Sequence, residues 1–177
     1  MPAREILTYP NAKLTELSSE AIESAPDFRA LLADLLDTLN AFPGCVGVAA
    51  PQIGELKRVV VVDASRNRKP VPNQGLLILV NPVIQSCEGE EIMREGCLSI
   101  PDFTANVKRA KRISLVATLY SNADSAGVAT KIEADNFEAR VIQHELDHLE
   151  GKLFLDRVSS LKTDVFRRKR YAVPEST

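Results

Sequence analysis

The stretch that decides the fold of this 177-residue chain is NFEARVIQHELDHLEG, residues 136–151. Its apolar residues recur at helical spacing, and both histidines of the protein lie within it, at positions 144 and 148. Residues four apart on a helix have Cβ atoms about 5–6 Å apart on one face, so two imidazoles can converge on one metal ion. Glu145 lies about 80–100° further round the helix, close enough to act on a water molecule beside the metal but poorly placed as a third ligand. The HExxH spacing therefore predicts a helix that carries a hydrolytic metal site.

The position of Glu145 on this helix argues against a purely structural interpretation. A helical wheel at about 100° per residue puts His144, Glu145 and His148 on the apolar, inward arc, together with Phe137 and Val141. The side chains on the opposite side are charged or carry an amide: Arg140, Gln143, Asp147 and Glu150. A core helix with two hydrogen-bonded histidines would also turn its imidazoles inward. It gives no reason for an acidic side chain to share their buried arc.

The third metal ligand cannot be a histidine, because the chain contains only two. A hydrolytic site needs three protein ligands and an open position for water, so the remaining ligand is a carboxylate or a cysteine. Glu150 falls on the far side of the wheel. Two cysteines lie near glycines that allow close backbone approach, Cys97 in EGCLSIP (95–101) and Cys45 in PGCVGVAAPQIG (43–54). A cysteine is more often a small buried apolar residue than a metal ligand.

The remainder of the chain predicts an α+β fold. Apolar residues at spacings of three and four predict a helix at 26–40. Buried or alternating apolar runs predict strands at 58–63, 76–80, 113–120 and 128–134, with loops at 67–74 and 121–127. An amphipathic pattern predicts a last helix at 155–170, which ends in the basic run Arg-Arg-Lys-Arg at 167–170. We therefore expect one domain over 1–177, with antiparallel or mixed sheets packed around the central HExxH helix and helices near both termini.

Composition and charge exclude several classes of protein. The chain is 45% hydrophobic and 26% charged with a net charge of −2, so it is neither disordered nor collagen-like nor rich in disulfides. It has no apolar run of about 18 residues and no basic segment followed by an apolar one at its start. We therefore expect no membrane span and no signal peptide, but a cytoplasmic protein. Three widely spaced cysteines suit a reducing compartment, and a pI near 5.8 gives no electrostatic reason to expect DNA or RNA as the main partner.

Three segments of the chain closely resemble, in order, the three signature motifs of the peptide deformylase family. They are GVAAPQ at 47–52, EGCLS at 95–99 and QHELDH at 143–148. Shorter similarities at ILTYP (6–10), NP (81–82) and GKLF (151–154) extend the resemblance over most of the chain. The resemblance implies a metal-dependent hydrolase that removes the formyl group from the N-terminal methionine of nascent polypeptides and releases formate.

The resemblance also implies a role for each residue that matches a motif. The implied metal ligands are Cys97, His144 and His148. Glu145 is implied as general base and then general acid, while Gln52 and the backbone N–H of Leu98 would hold the oxyanion. The ion in this family is typically Fe²⁺, and Zn²⁺, Ni²⁺ or Co²⁺ can occupy the same site.

A pocket for the methionine side chain is expected beside the metal. Phe137 and Val141 flank the histidines on the helical wheel and are natural walls for an unbranched apolar side chain. The resemblance adds Val46, Gly47 and Met93 to this pocket, and it adds Glu95, which would form a supporting ion pair with Arg109. Core packing explains the apolar residues equally well, and an ordinary surface charge explains the two charged ones.

Two positions depart from the family pattern, and both affect how the substrate enters and contacts the cleft. Cys45 stands where the first motif usually has a glycine, and Thr104 stands where many relatives carry a larger side chain. Because the ligand set and Glu145 are intact, we expect activity. The alternatives are a metallopeptidase with a carboxylate ligand and a catalytically weak homologue that binds formylated peptides or ribosomes. The basic run at 167–170 suits the end of a helix dipole, and the family implies a contact with ribosomal RNA.

Overall fold

Eight strands form two antiparallel sheets in the computed structural model, which describes residues 3–168. The five-stranded sheet has the order β1 (Gly47–Ala49), β2 (Val59–Asp63), β3 (Leu76–Glu88), β6 (Arg112–Tyr120) and β7 (Val128–Asp135). The three-stranded sheet has the order β4 (Glu91–Cys97), β5 (Ile100–Arg109) and β8 (Val165–Arg167). The predicted α+β class with antiparallel sheets is confirmed.

Two α-helices lie on opposite faces of the five-stranded sheet, α1 (Phe28–Ala41) and α2 (Asn136–Leu149). The consecutive valines of β2 explain this arrangement, because successive side chains of a strand point to opposite faces. Val60 and Val62 join the apolar core that contains α2, while Val59 and Val61 join the core that contains α1. Neither helix within residues 3–168 is long and apolar enough to cross a membrane.

The HExxH helix ends in a Schellman motif, which fixes its last turn. Gly151 has φ +66°, its N–H donates to the carbonyl of His148, and the N–H of Lys152 donates to the carbonyl of Asp147. A Cβ at position 151 would lie 2.5 Å from the backbone oxygen of Thr15, so glycine is required for both its φ and its close approach. Both predicted helices, 26–40 and 136–151, agree with the observed bounds to within two residues.

The predicted C-terminal helix at 155–170 is wrong over the residues that the structure describes. A 3₁₀-helix at Phe154–Arg157 is followed by a turn and then by β8, while residues 169–170 lie outside the described range. The N–H of Ser160 donates to the Asp164 carboxylate, which closes the turn and redirects the chain. The edge of β5 offers unpaired backbone groups, and a valine and a phenylalanine suit a strand better than a helix. Pairing with β5 therefore prevails over the weak helical pattern.

Candidate metal centre

Three side chains that the sequence singled out meet beside helix α2. Nitrogens of His144 and His148 and the sulfur of Cys97 all lie within 4.8 Å of one another. The Cys97 Sγ is 3.4 Å from the His148 Nε2, and both residues are buried. The two histidines come from one face of the helix, as their spacing predicts, and the cysteine comes from the end of β4.

An irregularity in the β4–β5 hairpin brings the cysteine to the helix. Gly96 pairs with Thr104, yet the next residue, Cys97, pairs with Ile100, so the register shifts between them. Such a shift bends a strand and redirects its side chains. The turn after β4 is held by the N-terminal segment, because the N–H of Tyr9 donates to the carbonyl of Ser99 at 2.8 Å.

The donor set fits a divalent first-row metal ion. The His144 Nδ1 lies 2.9 Å from the Glu95 Oε2 and donates to this carboxylate, so Nε2 is the nitrogen left to bind a metal once it has released its proton. Burial alone would raise the pKa of the Cys97 thiol, but the charge on His148 and hydrogen bonds from both histidines hold it well below its ordinary value. One thiolate and two imidazoles suit a tetrahedral centre with an open fourth position.

Glu145 is buried beside these ligands with one oxygen unsatisfied. Its Oε2 has no hydrogen-bond partner among residues 3–168. Burial raises the pKa of Glu145 to about 7, although the neighbouring histidine charges oppose the shift. A Cβ at position 47 would lie 2.6 Å from the Glu145 Oε1, so Gly47 leaves the space that this carboxylate occupies. The carboxyl group therefore titrates near neutral pH and faces the site.

Gln52 is held in one orientation by its hydrogen bonds. It lies in the 3₁₀-helix Ala50–Ile53, and its Oε1 accepts from the N–H of Ala49 at 2.9 Å. Its Nε2 therefore points the other way, where it donates to the Ser99 Oγ at 3.1 Å and the Cys97 Sγ at 3.4 Å. The amide thus presents N–H donors to the site, and the turn residue Leu98 lines the same cavity.

A cavity of about 320 Å³ opens beside Cys97 and His144, two of the three candidate ligands. Its walls include four of the residues predicted for the methionine pocket: Val46, Gly47, Phe137 and Val141. Met93, also predicted there, is not among the residues that line this cavity, and it is 39% exposed. Cys45 does line it and donates its thiol to the Gly47 carbonyl at 3.1 Å. Burial raises the pKa of Cys45 to about 11, so this thiol stays protonated at neutral pH.

Behind the candidate ligands lies a network of ion pairs, all of whose members except Arg157 are buried, and which we call the rear network. It consists of Glu95, Arg109, Arg140, Asp147 and Arg157. Arg109, on β5, connects the three-stranded sheet with α2, since it contacts Glu95 of β4 and Asp147 of α2 at 2.7 Å each. Although burial alone would raise the pKa of Glu95, hydrogen bonds from His144 and Arg109 hold it well below its ordinary value.

The ion pair between Glu95 and Arg109 that the resemblance implied is present, and it forms part of the rear network. Glu95 also lines the cavity, but its carboxylate oxygens are bonded to His144, Arg109 and Arg140. Arg140 and Asp147, on the side of the wheel away from the histidines, are both buried, and the sequence reasoning gave neither a role. The sequence did contain an indication of this role, because Arg140 and Asp147 carry opposite charges and, seven residues apart, lie on the same face of the helix. Phe154, also overlooked, stacks on the His144 ring at 6.2 Å.

The HExxH helix and the adjoining cavity define this protein's class as that of the metal-dependent hydrolases. The chain belongs to the polypeptide deformylase family, whose model matches residues 3–164. A peptide deformylase of Thermodesulfovibrio yellowstonii is 40% identical over 169 residues, which cover 96% of this chain and 97% of that relative.

Solved structures agree with this assignment. A peptide deformylase from Legionella pneumophila superposes with a TM-score of 0.77 at 34% identity, over 90% of this chain and 88% of that one. One from Ehrlichia chaffeensis, crystallised in complex with actinonin, gives a TM-score of 0.80 at 30% identity, over 92% of each chain. The resemblance that the motifs indicated is therefore confirmed by the family model and by these solved folds.

Proposed function

We propose that this chain is a single catalytic domain that removes the N-formyl group from the N-terminal methionine of nascent polypeptides. In this proposal Cys97, His144 and His148 hold the metal ion, and Glu145 transfers protons. The observation that carries it is the convergence of the three ligand atoms within 4.8 Å beside a buried glutamate with an unsatisfied oxygen. Family membership supports the reaction, and this geometry supports the residue roles.

The metal site is proposed to hold Fe²⁺ in the cell, with Zn²⁺, Ni²⁺ or Co²⁺ as ions that the same ligands accept. A divalent ion there supplies Lewis acidity, which lowers the pKa of a water molecule and polarises the formyl carbonyl. The Cys97 thiolate contributes negative charge, and the Glu95 carboxylate orients the His144 ring through its Nδ1.

Glu145 moves the proton in both halves of the reaction. Its carboxylate accepts a proton from the attacking water and returns it to the nitrogen of the leaving amine, so the formyl C–N bond breaks and formate departs. A pKa of about 7 lies near the operating pH, where one group can serve as both base and acid. Burial of Glu145 keeps bulk water from competing for that proton.

Gln52 and Leu98 are proposed to stabilise the negative charge that develops on the formyl oxygen. The Gln52 amide is oriented by its bond to Ala49, and an N–H that here donates to Cys97 or Ser99 would be transferred to the formyl oxygen. Removal of one such donor costs roughly 3–4 kcal/mol of transition-state stabilisation in enzymes where it has been measured. The backbone N–H of Leu98 is the second proposed donor, at the turn after β4.

The methionine side chain is proposed to enter the cavity beside the ligands. Val46, Phe137 and Val141 provide apolar walls, and the cavity volume of about 320 Å³ is of the size that small-molecule sites commonly have. Cys45 narrows the same cavity where the family motif usually has a glycine. An unbranched apolar side chain is the expected occupant of these walls.

The contact with the ribosome stays a prediction, as does a cytoplasmic location. Only two of the four basic residues at 167–170 lie within the described range, and they belong to or follow a strand rather than end a helix. A chain truncated after Asp164 should bind ribosomes more weakly than the full chain at low salt. Equal ribosome binding by the truncated and the full chain would contradict this prediction.

The experiment that tests the reaction is formate release from a formyl-methionyl peptide. The protein is purified without oxygen and with iron retained, and its metal content is measured. We expect formate release by the wild-type protein and its loss in Glu145→Ala at equal metal content. Absence of formate from the metal-loaded protein would favour a homologue that only binds formylated peptides. Activity that survives in Glu145→Ala would refute the proposed proton transfer.

A further inference from the structure

Three arginines line the cavity beside the proposed metal ligands; Arg140 is bonded to Glu95, and the proposed reaction uses neither of the other two. Arg94 comes from β4, and Arg168 follows β8. Within residues 3–168, neither guanidinium is paired with a carboxylate. Arg94 instead donates to the side-chain oxygens of Asn106 at 3.1 Å and Thr104 at 3.3 Å. Two guanidinium groups without a carboxylate partner in this range therefore line the cavity.

The surrounding sheet holds the Arg94 side chain and the main chain of Arg168 in place. The Arg94 guanidinium carbon lies 3.6 Å from the centre of the Phe166 ring, a cation–π contact that holds the side chain over β8. The backbone N–H of Arg168 donates to the carbonyl of Asp102 at 2.8 Å, which continues the pairing of the last strand beyond β8. Stacking thus positions the Arg94 cation, and strand pairing positions the residue that carries the second one.

Gly96 provides the space in which the second arginine lies. A Cβ at position 96 would overlap the Arg168 guanidinium, so this side chain crosses the sheet directly over a glycine. The neighbouring residue in β4 is the ligand Cys97. The C-terminal strand, which replaces the helix expected from the sequence, therefore delivers a cation to the immediate neighbourhood of the metal ligands.

Acidic residues of the cavity do not neutralise these cations. Glu95 is committed to His144, Arg109 and Arg140, and Glu145 lies buried beside the ligands. A carboxylate brought in by a ligand would meet two guanidinium groups, and planar guanidinium groups bind carboxylates with paired hydrogen bonds.

The distance from the reaction centre indicates which part of a substrate meets the arginines. Arg94 precedes Cys97 by three residues, which is about 10 Å along an extended strand. The methionine side chain is assigned to the walls formed by Phe137 and Val141 on α2. A group that reaches the arginines therefore belongs to the residues that follow the methionine. In the described sheet β4 is an edge strand, so an extended peptide has room beside it.

We propose that Arg94 and Arg168 determine substrate specificity by favouring formylated peptides with Asp or Glu among the first residues after the methionine. This inference rests on the proposed function, because it assigns further substrate contacts to the same cavity. The arginines touch no reacting atom, and the carboxylate contact forms equally in the ground state and the transition state. The preference therefore lowers KM and leaves kcat little changed.

The test compares two peptides that differ only in charge, formyl-Met-Ala-Glu-Ala and formyl-Met-Ala-Gln-Ala, with a second pair that carries Glu or Gln directly after methionine. We expect the wild-type kcat/KM to be about five-fold higher for the acidic member of at least one pair at low salt, the upper range for exposed ion pairs. The preference should shrink at 0.5 M NaCl, because salt screens exposed charges.

Variants then assign the preference to these side chains. The ratio of acidic to neutral kcat/KM should fall towards one in Arg94→Gln with Arg168→Gln, and Arg168→Glu should reverse it in favour of a lysine peptide. Arg168→Lys should restore part of it. Arg167→Gln is the matched control, since Arg167 is the adjacent cation in the same strand and does not line the cavity. Ratios within one variant cancel any difference in the folded or metal-loaded fraction.

Two outcomes overturn the inference: a wild-type ratio near one for both peptide pairs, and a ratio that persists in the double variant. Binding of the same peptides, measured by competition with a fluorescent formyl-methionyl peptide, is recorded in parallel. If no peptide releases formate, the proposed function fails, while the binding ratios still support or overturn the role of the arginines.

Discussion

Two clusters of buried polar side chains flank helix α2, and they differ in how completely their hydrogen bonds are satisfied. In the rear network every carboxylate oxygen of Glu95 and Asp147 accepts from at least one cationic or imidazole donor. In the metal centre, the Glu145 Oε2 and the His148 Nδ1 have no partner among residues 3–168.

This difference separates two physical tasks. A buried charge with all its hydrogen bonds made is rigid, and the loss of one partner leaves the others unpaired at a high free-energy cost. A buried group with an unmade hydrogen bond is destabilising by itself but is free to bind or to transfer a proton. The bond between Glu95 and His144 joins the two clusters, so the satisfied cluster orients a ligand of the unsatisfied one.

The largest effect is expected from Glu145→Gln, which separates activity from stability. We expect kcat to fall by about 10²–10⁴-fold, because an amide cannot accept and return the proton. The free energy of unfolding should stay equal or rise, since the change removes a buried negative charge and keeps the size of the side chain. Formate release and urea unfolding measure the two quantities. A kcat within tenfold of wild type would place the proton transfer elsewhere.

The reverse result is expected from Arg109→Gln in the rear network. This change leaves Glu95 and Asp147 buried and short of a cation, so the free energy of unfolding should fall by roughly 3–5 kcal/mol. Urea unfolding at pH 7 measures the loss. Arg112→Gln is the control, because Arg112 forms exposed ion pairs on β6 and its loss should change stability little. Equal effects of the two variants would show that the rear network does not stabilise the fold.

The link between the clusters is tested by Glu95→Gln. We expect metal affinity to fall by about 10–100-fold, the usual effect when the carboxylate partner of a ligating histidine is lost. Competition with a chromophoric chelator measures the affinity of the purified protein. Unchanged affinity would mean that the ligands are oriented without the rear network.

The smallest effect concerns the reactivity of the cysteines outside the ligand set. Burial raises the pKa of Cys45 to about 11, so only a small fraction of this thiol is ionised at pH 7. While the pH is below the pKa, that fraction increases about tenfold for each unit by which the pH rises. We therefore expect iodoacetamide to label the exposed Cys87 first, and Cys45 only slowly and faster at higher pH. Peptide mass mapping between pH 7 and 9 measures both rates. Rapid labelling of Cys45 at pH 7 would contradict this environment.

Elements with strong local patterns could be predicted from the sequence. The four consecutive valines of β2 are typical of a buried strand, and the leucines of α1 recur at helical spacing. The predicted bounds of both elements therefore agree with the structure to within two residues. Strand β3 extends past the predicted end at 80, because the chain continues through a bulge at Asn81-Pro82, a pair that reads locally as a break. The β4–β5 hairpin was not predicted as strands, since its polar residues carry no clear alternation.

The candidate site divides in the same way. The HExxH spacing by itself predicted that two imidazoles share a helix face, but it left the third ligand open between a carboxylate and a cysteine. Cys97 came from motif resemblance, and the structure then placed its sulfur near both histidines. Met93 was assigned to the pocket by resemblance alone, and the structure leaves it outside the cavity.

The sequence by itself determined the helix that carries the histidines, the α+β class and the family, because each depends on residues close together in the chain or on motifs in order. The tertiary structure decided the rest: the rear network around Arg109, the replacement of the C-terminal helix by β8 and the delivery of Arg168 to the cavity. These features depend on contacts between residues far apart in sequence. The free energy of such contacts depends on burial and on the pairing of backbone groups. Both are defined only when the folded chain brings these distant residues together.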